Sequence, residues 1–154
     1  MSSRQYTFSR TAPASSRGVP RLSYISKTQY SEEWNSNLHT HGCAELFFIT
    51  DGHGRFRTQY EEFPVAIHDL VVVNANVLHT ELSQMDSPLE YIVLGVEGLE
   101  AVSAADGCTM LHLHSGWREL LNCLDLMLKE AREGRPGWEE LCGHLLGVVL
   151  ILME

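Results

Sequence analysis

A small β-barrel or jelly roll followed by two C-terminal α-helices is the mainly β fold that this sequence predicts. Three observations lead there. Short apolar or alternating runs, separated by turn residues, fill positions 21–97, as in antiparallel sheets that close on themselves. After Gly98 the apolar spacing lengthens to three and four residues, which is a helical period. Finally, His39 and His41 stand two residues apart with Glu45 an even step further on, so an extended or folded-back chain brings all three to one face.

At 154 residues the chain suits one domain with a sizeable core. Residues 1–20 are rich in Ser, Arg, Ala and Pro without periodicity, which predicts a flexible N-terminal arm; a plain disordered leader has the same composition. The barrel is expected over residues 21–114. Its strands are Leu22–Ser26, Leu38–His41 and Glu45–Thr50, the last rich in aromatic and branched residues. Asp51-Gly52-His53-Gly54 is a tight-turn signature. Arg55–Tyr60 and Phe63–Ile67 make a hairpin, and Leu70–Asn74 is a nearly all-apolar strand. Asn74-Ala75-Asn76 turns the chain, since asparagine tolerates left-handed backbone. Leu78–Leu82, Leu89–Val96 and a short Met110–His114 complete the set, with a turn at Asp86-Ser87-Pro88 and a loop over 101–108.

Residues 115–154 form the two-helix segment. Ser115 is the expected cap of a first helix carrying Trp117, Leu120, Leu121, Leu124, Leu128 and Ala131 at helical spacing. Gly134-Arg135-Pro136-Gly137 breaks it, and a second helix runs from near Trp138 to Glu154. Leu121, Leu124 and Leu128 read either as core or as the seam of a homodimer, for which two-fold symmetry is the default. The second helix stops without a polar tail, so the expectation is a piece of a longer chain.

Composition narrows the class further. Hydrophobic residues make up 44% and charged residues 20%, ordinary values for a globular domain. A net charge of −9 argues against this segment gripping a phosphate backbone. Cys43, Cys108, Cys123 and Cys142 lack CxxC spacing and read as free thiols in a reducing compartment. No charged-then-apolar leader opens the chain, and Leu145–Met153 is too short to cross a bilayer. A cytoplasmic protein with no membrane partner is expected.

The chemistry gathers at His39, His41, Glu45 and His79. Three imidazoles and a carboxylate converging on a barrel interior suit a divalent metal, with Zn, Ni, Mn or Fe all compatible with the donor set; the same groups also serve to hydrogen-bond a ligand. Phe47 shares Glu45's face, and Phe56 and Tyr91 are candidate partners from neighbouring strands, as pocket wall or as plain core. His53, His68, His112, His114 and His144 lack supporting spacing and read as surface or structural, and Asp69 as a turn residue.

The spacing His39-x-His41-x3-Glu45-x6-Gly52 resembles the first cupin motif, and the run from His68 to His79 resembles the second. Glu45-Leu46-Phe47-Phe48-Ile49-Thr50-Asp51-Gly52-His53-Gly54 and the Asp69–His79 stretch are similar to the sensor domains of AraC-type transcription regulators. The likeness spans roughly residues 21–97, with a weaker echo in the helical tail. It departs from the motif at Glu33 and His68, where glycine is usual, and at Ala75, where proline is usual. The resemblance implies a ligand-sensing, dimerising cupin domain whose effector is a small molecule in the barrel. DNA would then be contacted only through a C-terminal helix-turn-helix domain, and residues after Gly137 leave no room for one. It further implies that the arm folds over the ligand or reaches the DNA reader. Catalysis is not expected. The alternatives are a metal-dependent cupin enzyme (dioxygenase, isomerase or decarboxylase) and a structural cupin that only oligomerises.

Overall fold

A computed structural model describes residues 1–9, 19–31, 34–35, 37–99, 102 and 105–154. Most of the expected arm beyond residue 9, Glu33 and part of the 101–108 loop lie outside the described residues. Among the described residues ten strands precede two helices: β1 (Ser2–Thr7), β2 (Arg21–Gln29), β3 (Trp34–Asn35), β4 (Ala44–Asp51), β5 (His53–Thr58), β6 (Glu62–Ala66), β7 (Asp69–Val73), β8 (His79–Ser83), β9 (Glu90–Glu97), β10 (Cys108–His112), α1 (Trp117–Glu133) and α2 (Trp138–Leu152). A six-stranded sheet in the order β1-β2-β9-β4-β7-β10 faces a four-stranded sheet in the order β3-β8-β5-β6, and every pairing is antiparallel. This is the jelly roll expected, with the helices after it.

The three central strands of the larger sheet are buried on both faces, which explains why β4, β7 and β9 read as nearly continuous apolar runs. Leu46, Phe48, Leu70, Val72, Ile92 and Leu94 point outward and meet Leu120, Leu124, Met127, Cys142, Leu146 and Val149 of the helices in one core. Phe47, Ile49, Val71, Val73, Tyr91 and Val93 point the other way, into the barrel. The period of two thus sorts each strand between two cores. Gly52 (φ 71) closes the β4–β5 turn beneath the Pro88 carbonyl, where a Cβ would sit 2.0 Å from that oxygen; only glycine fits there.

Four expectations need correcting. Residues 2–7 are not a loose arm: they form β1, paired with β2 from Ser2↔Gln29 to Thr7↔Tyr24. Leu38–His41 is not a strand but a single bridge, His39↔His79. Gly116 (φ 75), not Ser115, is the residue before α1, and no side chain caps that helix. Leu124 is fully buried against the sheet, with Leu121 and Leu128 packed partly buried on the same core, so Leu124 has no surface left for a partner. The exposed apolar residues of the helices are instead Leu126, Leu141, Val148 and Ile151. Among the described residues no helix is long and apolar enough to cross a membrane.

Candidate metal and ligand site

Backbone pairing assembles the histidines before any side chain does. His39 and His79 exchange both of their backbone hydrogen bonds at 3.0 Å, and the Asn76 amide donates to the His41 carbonyl at 2.8 Å. Asn76 makes that reach in a left-handed turn at φ 64, the conformation asparagine tolerates best after glycine. The three imidazoles therefore meet at one end of the barrel, with ring centroids 4.8–5.7 Å apart. One nitrogen from each lies within 4.8 Å of the others. Glu45 joins from β4, its Oε2 2.8 Å from His79 Nε2 and its Oε1 3.6 Å from His41 Nε2. All four expected ligands converge at that end of the barrel, Glu45 and His79 buried and His39 and His41 half-buried.

Tautomers follow from the carbonyls behind the rings. His79 Nδ1 is 2.9 Å from the Val77 oxygen, and His39 Nδ1 is 3.2 Å from that of Asn37. A carbonyl only accepts, so each Nδ1 carries the proton and each neutral ring turns a bare Nε2 inward. In the neutral form His79 Nε2 faces Glu45 Oε2 with two lone pairs opposed, which a proton or a cation between them relieves. Although 2.8 Å apart, the two buried atoms are not aligned as a hydrogen bond, and neither has another partner. Buried polar atoms left so are costly. A divalent cation between them satisfies both, and ligand bonds of about 2.1 Å place neighbouring donors roughly 3.0–3.4 Å apart, between the 2.8 and 3.6 Å that separate Glu45 from His79 and His41. The residues present fit the metal.

Burial sets the protonation here. It lowers the His41 pKa, Glu45 opposes that, and His39 and His79 add to the lowering; the net direction is down. Burial also works to lower His79, but contact with Glu45, then the Val77 carbonyl and Glu81, outweigh it and hold His79 above the usual value. Tyr24 from β2 donates its hydroxyl proton to Glu45. Burial first, then the Glu45 charge, pushes that phenol far above its ordinary range, so it remains a donor. Its ring lies flat on Gly95, where any Cβ would stand 2.2 Å from a ring carbon. Phe56 stacks on the His79 ring at 5.6 Å and 7°, and Phe47 meets it edge-on.

Beyond the histidines opens a cavity of about 270 Å³. Phe47 and Tyr91 line it as expected; Phe56 does not, standing behind His79. Sequence reasoning missed Glu81, Tyr30, Ser26 and Thr28, which line it too, and Ser3 and Gln5 of β1, which close one side. Glu81 was detectable: it stands two residues beyond His79 on β8 and so shares its face. Burial pushes the Glu81 carboxyl up, His79 and His39 pull it down, Glu45 pushes it up, and the net direction is up. Tyr30 is pushed up to about 12 by burial and then by Glu81. The β2 residues were hidden by a bulge between Leu22 and Tyr24, which switches faces mid-strand.

The remaining candidates fall outside. Arg55 and Arg57 pair with Glu62 on the solvent side. Asp69 accepts from the Ala66 amide at 2.8 Å and from His112 Nδ1 at 2.6 Å, at the end of β7 opposite the Val73 that pairs with Glu45. His68 adopts φ 75 where the motif has glycine and rests on Trp117.

Residues 26–146 match the model of the AraC-like ligand binding domain. Among solved structures, the chain is similar to YhaK of Escherichia coli at 15% identity and TM-score 0.61, over 75% of this chain and 52% of that one. It is also similar to the bacterial pirin YhhW of Escherichia coli, solved in complex with nickel(II), at 12% identity and TM-score 0.51, over 72% and 50% of the two chains. A cupin protein from Bacteroides fragilis matches at 14% identity and TM-score 0.48, over 65% of this chain and 92% of that chain. The chain spans about half the length of YhaK and of YhhW. No curated protein sequence matches it. At such identities the likeness is one of fold.

Proposed function

Because the chain belongs to the AraC-like ligand binding domain family, we propose that it is the effector-sensing and pairing domain of a cytoplasmic transcription regulator. The observation that carries this reading is the position of β1. Ser3 and Gln5 line the cavity, and Ser3 Oγ is 3.1 Å from Thr28 Oγ1. On the other face Tyr6 packs against the helical core. Phe8 then meets Trp138 at 4.8 Å, and Ser9 hydrogen-bonds Glu139 of α2. A small molecule that binds differently with β1 seated or released shifts the helices' environment with it, and one with equal affinity for both arrangements regulates nothing. DNA reading would belong to a separate helix-turn-helix unit.

A divalent metal held by His39, His41, His79 and Glu45 would supply a Lewis-acid anchor for an oxygen or nitrogen of the effector. Tyr24 fixes Glu45 by its hydrogen bond, and Phe56 and Phe47 hold the His79 ring. A thermal-shift screen of sugars, aromatic acids and other metabolites tests the sensing role. A true effector at 100 times its Kd raises the midpoint by roughly 5–10 °C, and removal of residues 1–9 weakens its binding. If no compound stabilises the domain, the sensing role fails.

Pairing would use the exposed face of the helices, where Leu126, Leu141 and Val148 line one apolar groove, rather than the Leu121–Leu128 stripe that the core occupies. A second copy is the occupant we propose. Val148→Glu is expected to convert a dimer to a monomer in sedimentation at micromolar concentration; a monomeric unaltered chain overturns the pairing. The enzyme reading has one observation in its favour: Glu81, a buried carboxyl beside the histidines, is placed where a general acid or base would stand. Turnover by a metal-loaded sample would reverse the order.

A further inference from the structure

On the helix side of the larger sheet, basic residues collect in a groove between β1, β2 and α1. Arg4 and Tyr6 of β1 and Lys27 of β2 line one wall, and Asp125, Leu128, Lys129 and Arg132 of α1 line the other, around about 250 Å³. Strand and helix periods put them there. Arg4 and Tyr6 stand two residues apart on β1, and Lys27 pairs directly with Arg4 across the strands. Tyr6 and the Ile25 opposite it pack into the core shared with the helices, so this strand face looks toward α1. Residues 125, 128, 129 and 132 fall at i, i+3, i+4 and i+7 of α1, a single stripe of that helix.

The chain carries a net charge of −9, yet four of its eleven Lys and Arg residues meet here against one lining carboxylate, Asp125. Elsewhere Arg21, Arg55, Arg57 and Arg135 are ion-paired with glutamates. In the groove Lys27 pairs with Glu90 at 3.2 Å, while among the described residues Arg4, Lys129 and Arg132 make no ion pair. Like charges directly opposite on neighbouring strands destabilise each other. Glu90 answers that repulsion on the Lys27 side only. Tyr6 and Leu128, both half-buried, add apolar surface among the charges.

We propose that this groove is an anion site for a small phosphate-bearing molecule, its phosphate among the four cations and its organic body against Tyr6 and Leu128. A phosphate monoester carries about −1.5 to −2 charges at pH 7 and three strong acceptor oxygens, which suits several cations better than one carboxylate does. Arg4 and Arg132 supply forked donors that match phosphate oxygens, and Lys27 and Lys129 supply compact point charges. The volume lies under the ~300 Å³ at which drug-sized pockets begin, so the molecule is small. Sheet and helix contribute two cations each, and a bound phosphate therefore fastens β1 to α1. The groove opens on the opposite face of β1 from the histidine cavity, which Ser3 and Gln5 line, and the inference does not depend on the sensing reading.

The test is calorimetric titration of the whole chain, stripped of metal by a chelator, with phenyl phosphate, inorganic phosphate, benzoate and phenol. Phenyl phosphate is expected to bind most tightly, about tenfold or more above benzoate, and phenol not at all. Arg4→Gln and Arg132→Gln are each expected to weaken phenyl phosphate about fivefold or more. Arg118→Gln, which removes the same charge from an exposed position of α1 outside the groove, should change its affinity by less than about twofold. Should Arg4→Gln release β1, the comparison of Arg132→Gln with Arg118→Gln decides. Equal losses from those two reduce the effect to overall charge and overturn the site. Binding indifferent to Arg132→Gln puts the phosphate elsewhere, at the barrel histidines for example, and overturns it too. So does benzoate as tight as phenyl phosphate, or no binding by any probe. A DNA duplex held more tightly than phenyl phosphate, through the same arginines, overturns the small-molecule assignment.

Discussion

His79→Ala is expected to abolish stoichiometric metal binding, weakening affinity for Zn²⁺, Ni²⁺ or Mn²⁺ on the order of 100-fold or more. Loss of a partner that merely orients a ligand already costs 10–100-fold, and His79 is both ligand and support. It is 1% exposed, and its Nε2 stands 2.8 Å from Glu45 Oε2. Its backbone also pins His39 through two hydrogen bonds. With the imidazole gone, Glu45 Oε2 loses the nitrogen it faces, and the ring of Phe56 keeps only Phe63 stacked on it. His112→Ala serves as the comparison, because that imidazole hydrogen-bonds Asp69 at the end of β7 away from Glu45; its metal binding should match the unaltered chain. Metal analysis and titration of chelator-treated protein give the answer. If His79→Ala binds as well as the original, the three histidines are not the metal centre.

The second large effect is expected at Gly95, a residue with no chemistry. Gly95→Ala would put a methyl group 2.2–2.5 Å from three atoms of the Tyr24 ring. Glu45 and Tyr24 both pair with Gly95 across neighbouring strands, so the ring has no free side to move toward without leaving the carboxylate. Overpacking of this kind costs about 1–3 kcal/mol. Leaving Glu45 without its phenol donor adds about 1–3 kcal/mol. We therefore expect about 2–6 kcal/mol of lost stability in denaturant unfolding, together with weaker metal binding. Tyr24→Phe separates the two causes, since it removes the hydrogen bond without the clash and should lose about half as much. A Gly95→Ala variant as stable as the original would mean the ring is not held against that strand.

Much of this was legible because strand periodicity is local. The even spacing of His39, His41 and Glu45 and the run ending at His79 located the site, and the alternation of Glu45 and Phe47 gave their common face. Glu81, which was missed, lay within reach of the same rule applied two residues past His79. By contrast, the bulge between Leu22 and Tyr24 left no mark in the apolar pattern, so Tyr24, Ser26 and Thr28 could not be assigned to the interior. The strand at residues 2–7 was missed for a related reason: an edge strand of Ser, Arg and Gln is held by backbone pairing with β2, not by burial of its side chains.

The sequence by itself determined the jelly roll, the helices after it and the four-residue cluster at its mouth, because each depends on side-chain order along one segment. Tertiary structure alone decided which helix residues were left exposed, which aromatic backs a ligand and which lines the cavity. It also decided that β1 touches both cavity and helices. Those properties depend on which segments lie against one another, and a contact between residues 8 and 138 or 24 and 95 has no counterpart in local spacing.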